Sequence, residues 1–480
     1  MQEPDVPTAD LEPSPVEQAH PSRVDSAWIP EQRSIEFIPH TARHGSSRSL
    51  FTLWFGANMQ VTTIAAGALN VTIGLGLGWA LLSIVIGNLI GAVFMALHSA
   101  QGPKLGIPQM IQSRAQFGYV GAVVPLVLVL LMYLGFFATT DVQGGQAMTA
   151  WTGLPKVPST LLVSVLILLV AVFGYRLIHA LEKWVSLLSA LAFAYLTVRL
   201  LTSHAMASAW HDHHFAGGSF LLGVALAATW QITYAPYVAD YSRYLPARTT
   251  IRSSYWYTYT GSVVATCWMM AFGAIAAAIS ANAFAGGSVE FIVHQAQGGY
   301  GVFYLVIVLG IVGINGLNLY GIFMSTTTIM TALTRFSVGR KGRAAIIGLA
   351  AAAGTTIGLA ASSDFLGNFE NFILLLAYFL IPWTAINLAD FYLVRRDSYD
   401  IPAIFDPSGQ YGGVDLRTTT AYLVGVLTEL PFVNSGFYTG PLVADLGGAD
   451  ISWIVGLLTS AVAYLLLMRR FPARRGTTYR

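Results

Sequence analysis

Apolar runs of about twenty residues recur from Phe51 to Met468, separated by short polar stretches rich in Gly, Pro, Arg and Asp. A run of that length matches the hydrocarbon thickness of a bilayer, whereas the apolar strands of soluble cores end after about 4–8 residues. The pattern predicts an all-α membrane protein of about twelve transmembrane helices, spans 1 to 12: 51–77, 79–98, 120–150, 158–176, 183–202, 219–243, 255–283, 301–334, 344–361, 370–394, 417–435 and 451–469. Two of them make poor straight helices. Span 1 contains LWFGANMQVTTIAAGAL, in which Gly56, Asn58, Gln60, Thr62 and Thr63 would be costly against lipid. Span 6 contains LAATWQITYAPYVADYSRYLP, and Pro236 inside it removes a backbone hydrogen bond. Non-helical backbone at membrane depth is tolerated only where it is buried in protein or lines a cavity.

The two interruptions lie five spans apart. Corresponding breaks in two halves point to a binding site between inverted repeats. Spans 1–5 (51–202) and 6–10 (219–394) would be the repeats, with spans 11–12 (417–469) appended. Two unrelated packing kinks are the other reading.

Composition agrees with a membrane chain: 55% of the 480 residues are hydrophobic and only 10% are charged, against about 25% in soluble domains. The charge distribution orients the spans. With the N-terminus cytoplasmic, 23 of the 25 Lys and Arg fall on the cytoplasmic side, leaving Lys156 and Arg199 outside. A wrong span count would scramble this asymmetry. Residues 1–50 are polar and rich in Pro and charge, with no apolar signal segment, and read as a mostly disordered cytoplasmic tail; 470–480 read as a basic one.

Several chemistries lose support. One cysteine, Cys267, gives no disulfide framework. There is no phosphate-binding G-x-x-x-x-G-K-[ST] and no H-E-x-x-H. The HDHHF stretch at 211–215 reads as a solvated histidine cluster rather than a metal site. GNLIG at 87–91 reads as a small-residue packing face. The expectation is a protein that is not an enzyme, with no cofactor or metal and no nucleic-acid partner.

The polar residues inside the spans are the candidates for function. Asp141 lies ten residues before Trp151, an interfacial tryptophan, which puts it roughly 15 Å deep at about 1.5 Å per residue. An acid there holds a substrate or a proton, or else closes a hydrogen-bond network between helices. Trp230 offers a flat face for an aromatic ring just before the Pro236 break. Asn315 and Asn318, three residues apart, share one helix face and could bond a heterocycle's edge or one another.

Five stretches in this order, WFGANMQVTT, DVQGGQAM, ADYSRYLP, INGLNLYG and PWTAINLADFYLVRR, resemble the nucleobase:cation symporter-1 family, and within it the purine-cytosine permease branch. The resemblance runs from about Ser34 to Arg470 and implies the LeuT-type fold, with substrate held near mid-membrane by spans 1, 3, 6 and 8. It also implies that Gln60, with Asn58 beside it, Asp141, and one of Asn315 and Asn318 contact substrate. Phe137 and Trp230 would form the two ring walls. A carboxylate at 141, where the family carries a neutral polar group, favours a substrate with adjacent N–H donors or a cationic ring. Sodium-coupled relatives use two hydroxyls a turn before the span 8 asparagine. GIVGIN (310–315) has none, which favours proton coupling with Asp141 as carrier.

The expected protein is therefore a secondary transporter that imports a nucleobase, such as cytosine or a purine, across the plasma membrane with a proton. Sodium-coupled uptake of hydantoin, allantoin, uracil or thiamine is the alternative, followed by a passive channel. Oligomeric state is open.

Overall fold

A computed structural model describes residues 35–173, 175–334 and 338–471. Most of both expected tails lies outside those residues. Among the described residues the secondary structure is helical, apart from one isolated bridge between Asn434 and Thr439. Each of the twelve expected segments holds a helix or a pair of helices. Seven stretches are long and apolar enough to cross a membrane, and Val61–Thr72, Lys156–Ala171 and Gly217–Ile232 are shorter apolar helices.

The expected breaks are present. Span 1 is two helices, Arg48–Ala57 and Val61–Thr72; span 6 is Gly217–Ile232 followed by the short helix Val238–Ser242. The remaining spans are the helices Leu77–Ser99, Val123–Thr152, Lys156–Phe173, Tyr175–Leu201, Ile251–Ile279, Tyr300–Thr334, Arg340–Ala361, Phe365–Ala389, Leu416–Glu429 and Ser452–Arg470. Span 5 thus starts eight residues before its expected edge. Span 10 ends in a π-helical turn, Asp390–Val394.

The spans pack as two groups. Spans 1, 2, 6 and 7 contact one another, as do spans 3, 4, 8 and 9. Span 5 touches spans 1 and 8, and span 10 touches span 6 and the 11–12 pair. The GNLIG face does the work its spacing suggested. A Cβ on Gly87 would stand 2.5 Å from the Val224 carbonyl, and one on Gly91 would overlap Ala228, so spans 2 and 6 meet backbone to backbone.

Several short helices lie outside the expected spans, and one of them is wholly buried. Gln109–Phe117, QMIQSRAQF, is a helix with all nine residues buried. Neighbours bond it at several points: the Gln109 backbone N–H donates to Asp240 Oδ1 (2.7 Å), Ser113 Oγ accepts from Trp383 Nε1 (2.9 Å), and Gln116 Nε2 donates to Asp390 Oδ2 (2.9 Å). Asp390 also takes the hydroxyls of Tyr399 and Tyr464 and pairs with Arg395 at 3.0 Å, fastening spans 10 and 12 at this end of the bundle.

Candidate substrate site

The two helix breaks are tied together by one side chain. Span 1 stops at Ala57, and Gln60 is extended (φ −142°, ψ 155°) before the second half begins. Buried Asn58 sits between. Its Oδ1 accepts from Trp230 Nε1 (3.0 Å) and Tyr234 OH (2.8 Å), both in span 6. Its Nδ2 donates to the Trp54 carbonyl (2.8 Å) and Ser262 Oγ (3.3 Å). An amide has two donors and two acceptor lone pairs, so this residue's capacity is full. In this conformation Asn58 acts as a knot between spans 1, 6 and 7, rather than the free substrate contact that the family resemblance implies. Gln60 stays at the break, with Nε2 donating to the Ala57 carbonyl at 2.9 Å.

Span 3 presents two chemically different faces, one residue apart in register. Phe136, Thr140 and Gln143 face spans 1 and 6. The Phe136 ring meets Trp230 edge to face at 5.8 Å and 88°. Gln143 Oε1 accepts from Thr62 Oγ1 at 2.6 Å, and Thr140 Oγ1 lies 3.4 Å from Thr62 Oγ1. Phe137 and Asp141 face the other way. Phe137 is fully buried, with its ring against Gly354 of span 9. Asp141 Oδ2 accepts from Ser164 Oγ of span 4 at 2.7 Å, and that hydroxyl lies 2.7 Å from Thr355 Oγ1 of span 9. The structure does not bring Phe137 or Asp141 to Trp230. Each residue turns a helix by about 100°, and the ring that faces Trp230 is Phe136, one step earlier.

Span 8 separates its two asparagines by depth. Asn315 is fully buried, donating to the Phe137 carbonyl at 3.1 Å and accepting from Asn318 Nδ2 at 2.9 Å. Asn318 lines a cavity of about 1060 Å³, partly open to solvent, that runs from the breaks to the end of the bundle carrying Arg243 and Tyr244. Trp54, Tyr133, Tyr234, Pro236 and Tyr237 form its inner walls. Above it, Phe369 and Phe372 of span 10 pack edge-on to Trp230 and Phe136, at 6.4 and 5.2 Å, and close the other side.

Residues 37–456 match the family model described as "Permease for cytosine/purines, uracil, thiamine, allantoin". The chain belongs to this permease family. The permease is 45% identical over 448 residues to "Putative purine-cytosine permease YxlA" of Bacillus subtilis, spanning 93% of this chain and 98% of that one. It is 28% identical to the purine-cytosine permease fcyB of Emericella nidulans, over 91% of this chain and 88% of that one. Among solved structures it resembles Mhp1, a nucleobase-cation-symport-1 family transporter. The closed form with bromovinylhydantoin bound gives a TM-score of 0.72 at 18% identity, covering 93% of this chain and 97% of Mhp1. The inward-facing form gives 0.74 at 16% identity, covering 92% and 95%. The permease therefore has the LeuT-type fold.

A second, smaller gap lies behind the span 1 break. Gly56, Ala57, Met59 and Gln60 face Gly310 and Ile314 of span 8 across it, and span 5 contributes Ser186 and Ser189. A Cβ on Gly56 would stand 2.5 Å from Ser186 Oγ. The sequence offered no Ser or Thr in the 310–315 stretch of span 8. The fold brings two from span 5, which no local motif announces. Hydroxyls beside an unwound segment are oxygen donors of the kind hard cations take.

The face assignment of span 3 has a direct check. Phe136→Ala removes a ring that meets Trp230 and is expected to raise the KM for substrate about 5- to 150-fold, the equivalent of about 1–3 kcal/mol of stacking. Phe137→Ala instead empties a packed core position, which typically costs about 3–5 kcal/mol. It should lower the thermal unfolding midpoint in detergent while leaving KM within about two-fold. Uptake kinetics and unfolding scans on both variants separate the two faces, and an interchange of the two phenotypes would reverse the assignment.

Proposed function

We propose that this permease is a secondary transporter that carries a planar nucleobase, cytosine or a purine, into the cell together with a cation. The observation that carries the reading is the cavity, lined by the rings of Trp54, Tyr133, Tyr234 and Tyr237 and by the amide of Asn318, that ends on the joined breaks of spans 1 and 6. Rings supply stacking and amides supply edge hydrogen bonds, and relatives named for purine and cytosine match 93% and 91% of the chain. Transport would proceed by alternating access, with spans 1, 2, 6 and 7 rocking against spans 3, 4, 8 and 9. In this reading 51–202 and 219–394 are the inverted repeats. Both termini face the cytoplasm at the plasma membrane, and the open cavity faces inward, because Arg43, Arg114, Arg243 and Arg395 cluster at that end.

The coupling ion has two readings, each with its own observation. Asp141 is a fully buried acid, and acids in this setting carry protons in many transporters. Because its carboxylate faces Ser164 rather than the cavity, a proton on it would act through the span 3–4–9 packing and not by touching the substrate. Sodium is the second reading, favoured by Ser186 and Ser189 beside the span 1 break.

The test is uptake of radiolabelled cytosine by cells expressing the chain, in acid and in neutral buffer, with and without sodium. Wild type, Asp141→Asn and the Ser186→Ala/Ser189→Ala double variant are compared. Saturable uptake driven by acid, with Asp141→Asn losing the pH response but keeping KM within about two-fold, supports proton coupling from outside the pocket. Sodium-driven uptake that the double serine variant loses supports the other ion. Uptake that neither saturates nor concentrates cytosine against its gradient would mean a channel, and the proposal would fall.

A further inference from the structure

The rings at the helix breaks and along the cavity form two tiers, and the upper one is the pair Trp230 and Phe136, which meet edge to face above the cavity. The lower tier is Trp54, Tyr133, Tyr237 and Tyr241, and all four line the open cavity. Tyr237 is its hub. Its ring lies 5.4 Å from Tyr133 at an interplanar angle of 40° and 6.2 Å from Trp54, which meets Tyr241 edge-on at 5.5 Å. Tyr234 stands between the tiers, 6.2 Å from Trp230 and 5.8 Å from Tyr237.

The upper tier cannot hold a base in this conformation. A flat ring between two parallel rings needs them about 7 Å apart, twice the ~3.5 Å contact distance. Trp230 and Phe136 are 5.8 Å apart and nearly perpendicular. The lower tier faces open volume. Tyr237 is half-buried, with its remaining surface towards the cavity, and it follows Pro236 in the span 6 break. Asn318 and Asp240 also line the cavity, and Asp240 keeps further acceptor capacity beside the bond its Oδ1 takes from the Gln109 N–H. A carboxylate accepts from amino and ring N–H groups, and an amide bonds either kind of edge group.

We propose that this vestibule is a second substrate site. In it an amino-substituted heterocycle, the transported base itself, stacks on Tyr237 with its polar edge towards Asn318 and Asp240. The base occupies it after the upper tier has closed behind it, so the vestibule is a release station. This inference rests on the nucleobase reading given above. Asp240 offers acceptors only, so the edge of the base turned towards it is one that donates N–H.

Equilibrium dialysis of the purified full-length chain in detergent with radiolabelled cytosine tests it. The expected result is two bases bound per chain with separable affinities. Tyr237→Ala removes the weaker site and leaves the tighter one, Trp230→Ala weakens the tighter one about ten-fold or more, and Tyr237→Phe retains both because the ring is kept. One base per chain in the wild type would overturn the proposal without reference to any variant, as would two unchanged sites in Tyr237→Ala. A chain that binds neither cytosine nor adenine at either site would instead overturn the nucleobase reading, and the release site with it.

Discussion

Asn58→Ala is expected to abolish uptake, with transport at least about 100-fold below wild type at equal surface expression. The substitution leaves Trp230 Nε1 and Tyr234 OH without their shared acceptor in a fully buried setting. An unsatisfied buried donor costs about 1–3 kcal/mol, so the pair is worth about 2–6 kcal/mol if neither finds water. The same change cuts the link from the span 1 break to Ser262 of span 7. Asn58→Asp separates these roles. It keeps an acceptor for Trp230 and Tyr234 but loses the donor to Trp54 and Ser262, and it adds a buried charge. Its uptake should fall between the two, and its expression should drop further. The measurement is initial-rate uptake normalised to surface protein, with an unfolding scan of each purified variant. Normal uptake by Asn58→Ala would show that the breaks hold their shape without this knot.

Trp230→Ala is the second large effect, and it should appear chiefly as lost affinity. The indole contacts rings on three elements: Phe136 of span 3, Tyr234 of span 6 and Phe369 of span 10. Base stacking on such a ring is worth about 1–3 kcal/mol, or roughly 5- to 150-fold in Kd. Trp230→Phe keeps a stacking face and loses only the N–H that bonds Asn58. A KM that rises strongly for Ala and weakly for Phe identifies the face as the working part. Equal losses in both would shift the weight to the hydrogen bond. No loss in either would remove Trp230 from the site.

Much of this was legible in the sequence, for identifiable physical reasons. The span positions follow from apolar run length, which the bilayer fixes. The break in span 6 is written in Pro236, and the break in span 1 in a run of small and polar residues around Asn58. Trp230 and the Asn315–Asn318 pair stand out because a polar or amphipathic group in an apolar helix needs a reason. The face of span 3 was not legible. That helix is surrounded by protein over much of its length and carries polar residues on both sides, so no apolar stripe marks an outer surface. Asp141 drew attention as the one charge, although it points towards spans 4 and 9. The uncharged Phe136, Thr140 and Gln143 that face the breaks gave no signal beyond their i, i+4, i+7 spacing. The buried helix Gln109–Phe117 reads as a surface loop because it is rich in Gln and Arg, and groups that cover and bond it, such as Trp383 and Asp390, lie far along the chain. Ser186 and Ser189 look like ordinary packing residues until span 5 is laid beside the span 1 break.

The glycine seats say where this molecule can bend. Gly67 rests on the Met270 backbone, Gly273 on that of Ile64, Gly87 on Val224 and Gly91 on Ala228. Domain motions proceed by hinge or by shear, and shear is a small sliding of helices over an interposed layer of side chains, which can repack. Where backbones touch, no such layer exists, and any sliding drives one carbonyl into another. Spans 1 and 7 are therefore geared together at two of these points and spans 2 and 6 at the other two, and each pair must turn as a unit. The compliance for each stroke has to come from the loops at their ends and from spans 5 and 10, which contact both groups without interlocking through these glycine seats. Replacing any of the four glycines with alanine would prise the gears apart, and the first casualty would be the register between the two helix breaks.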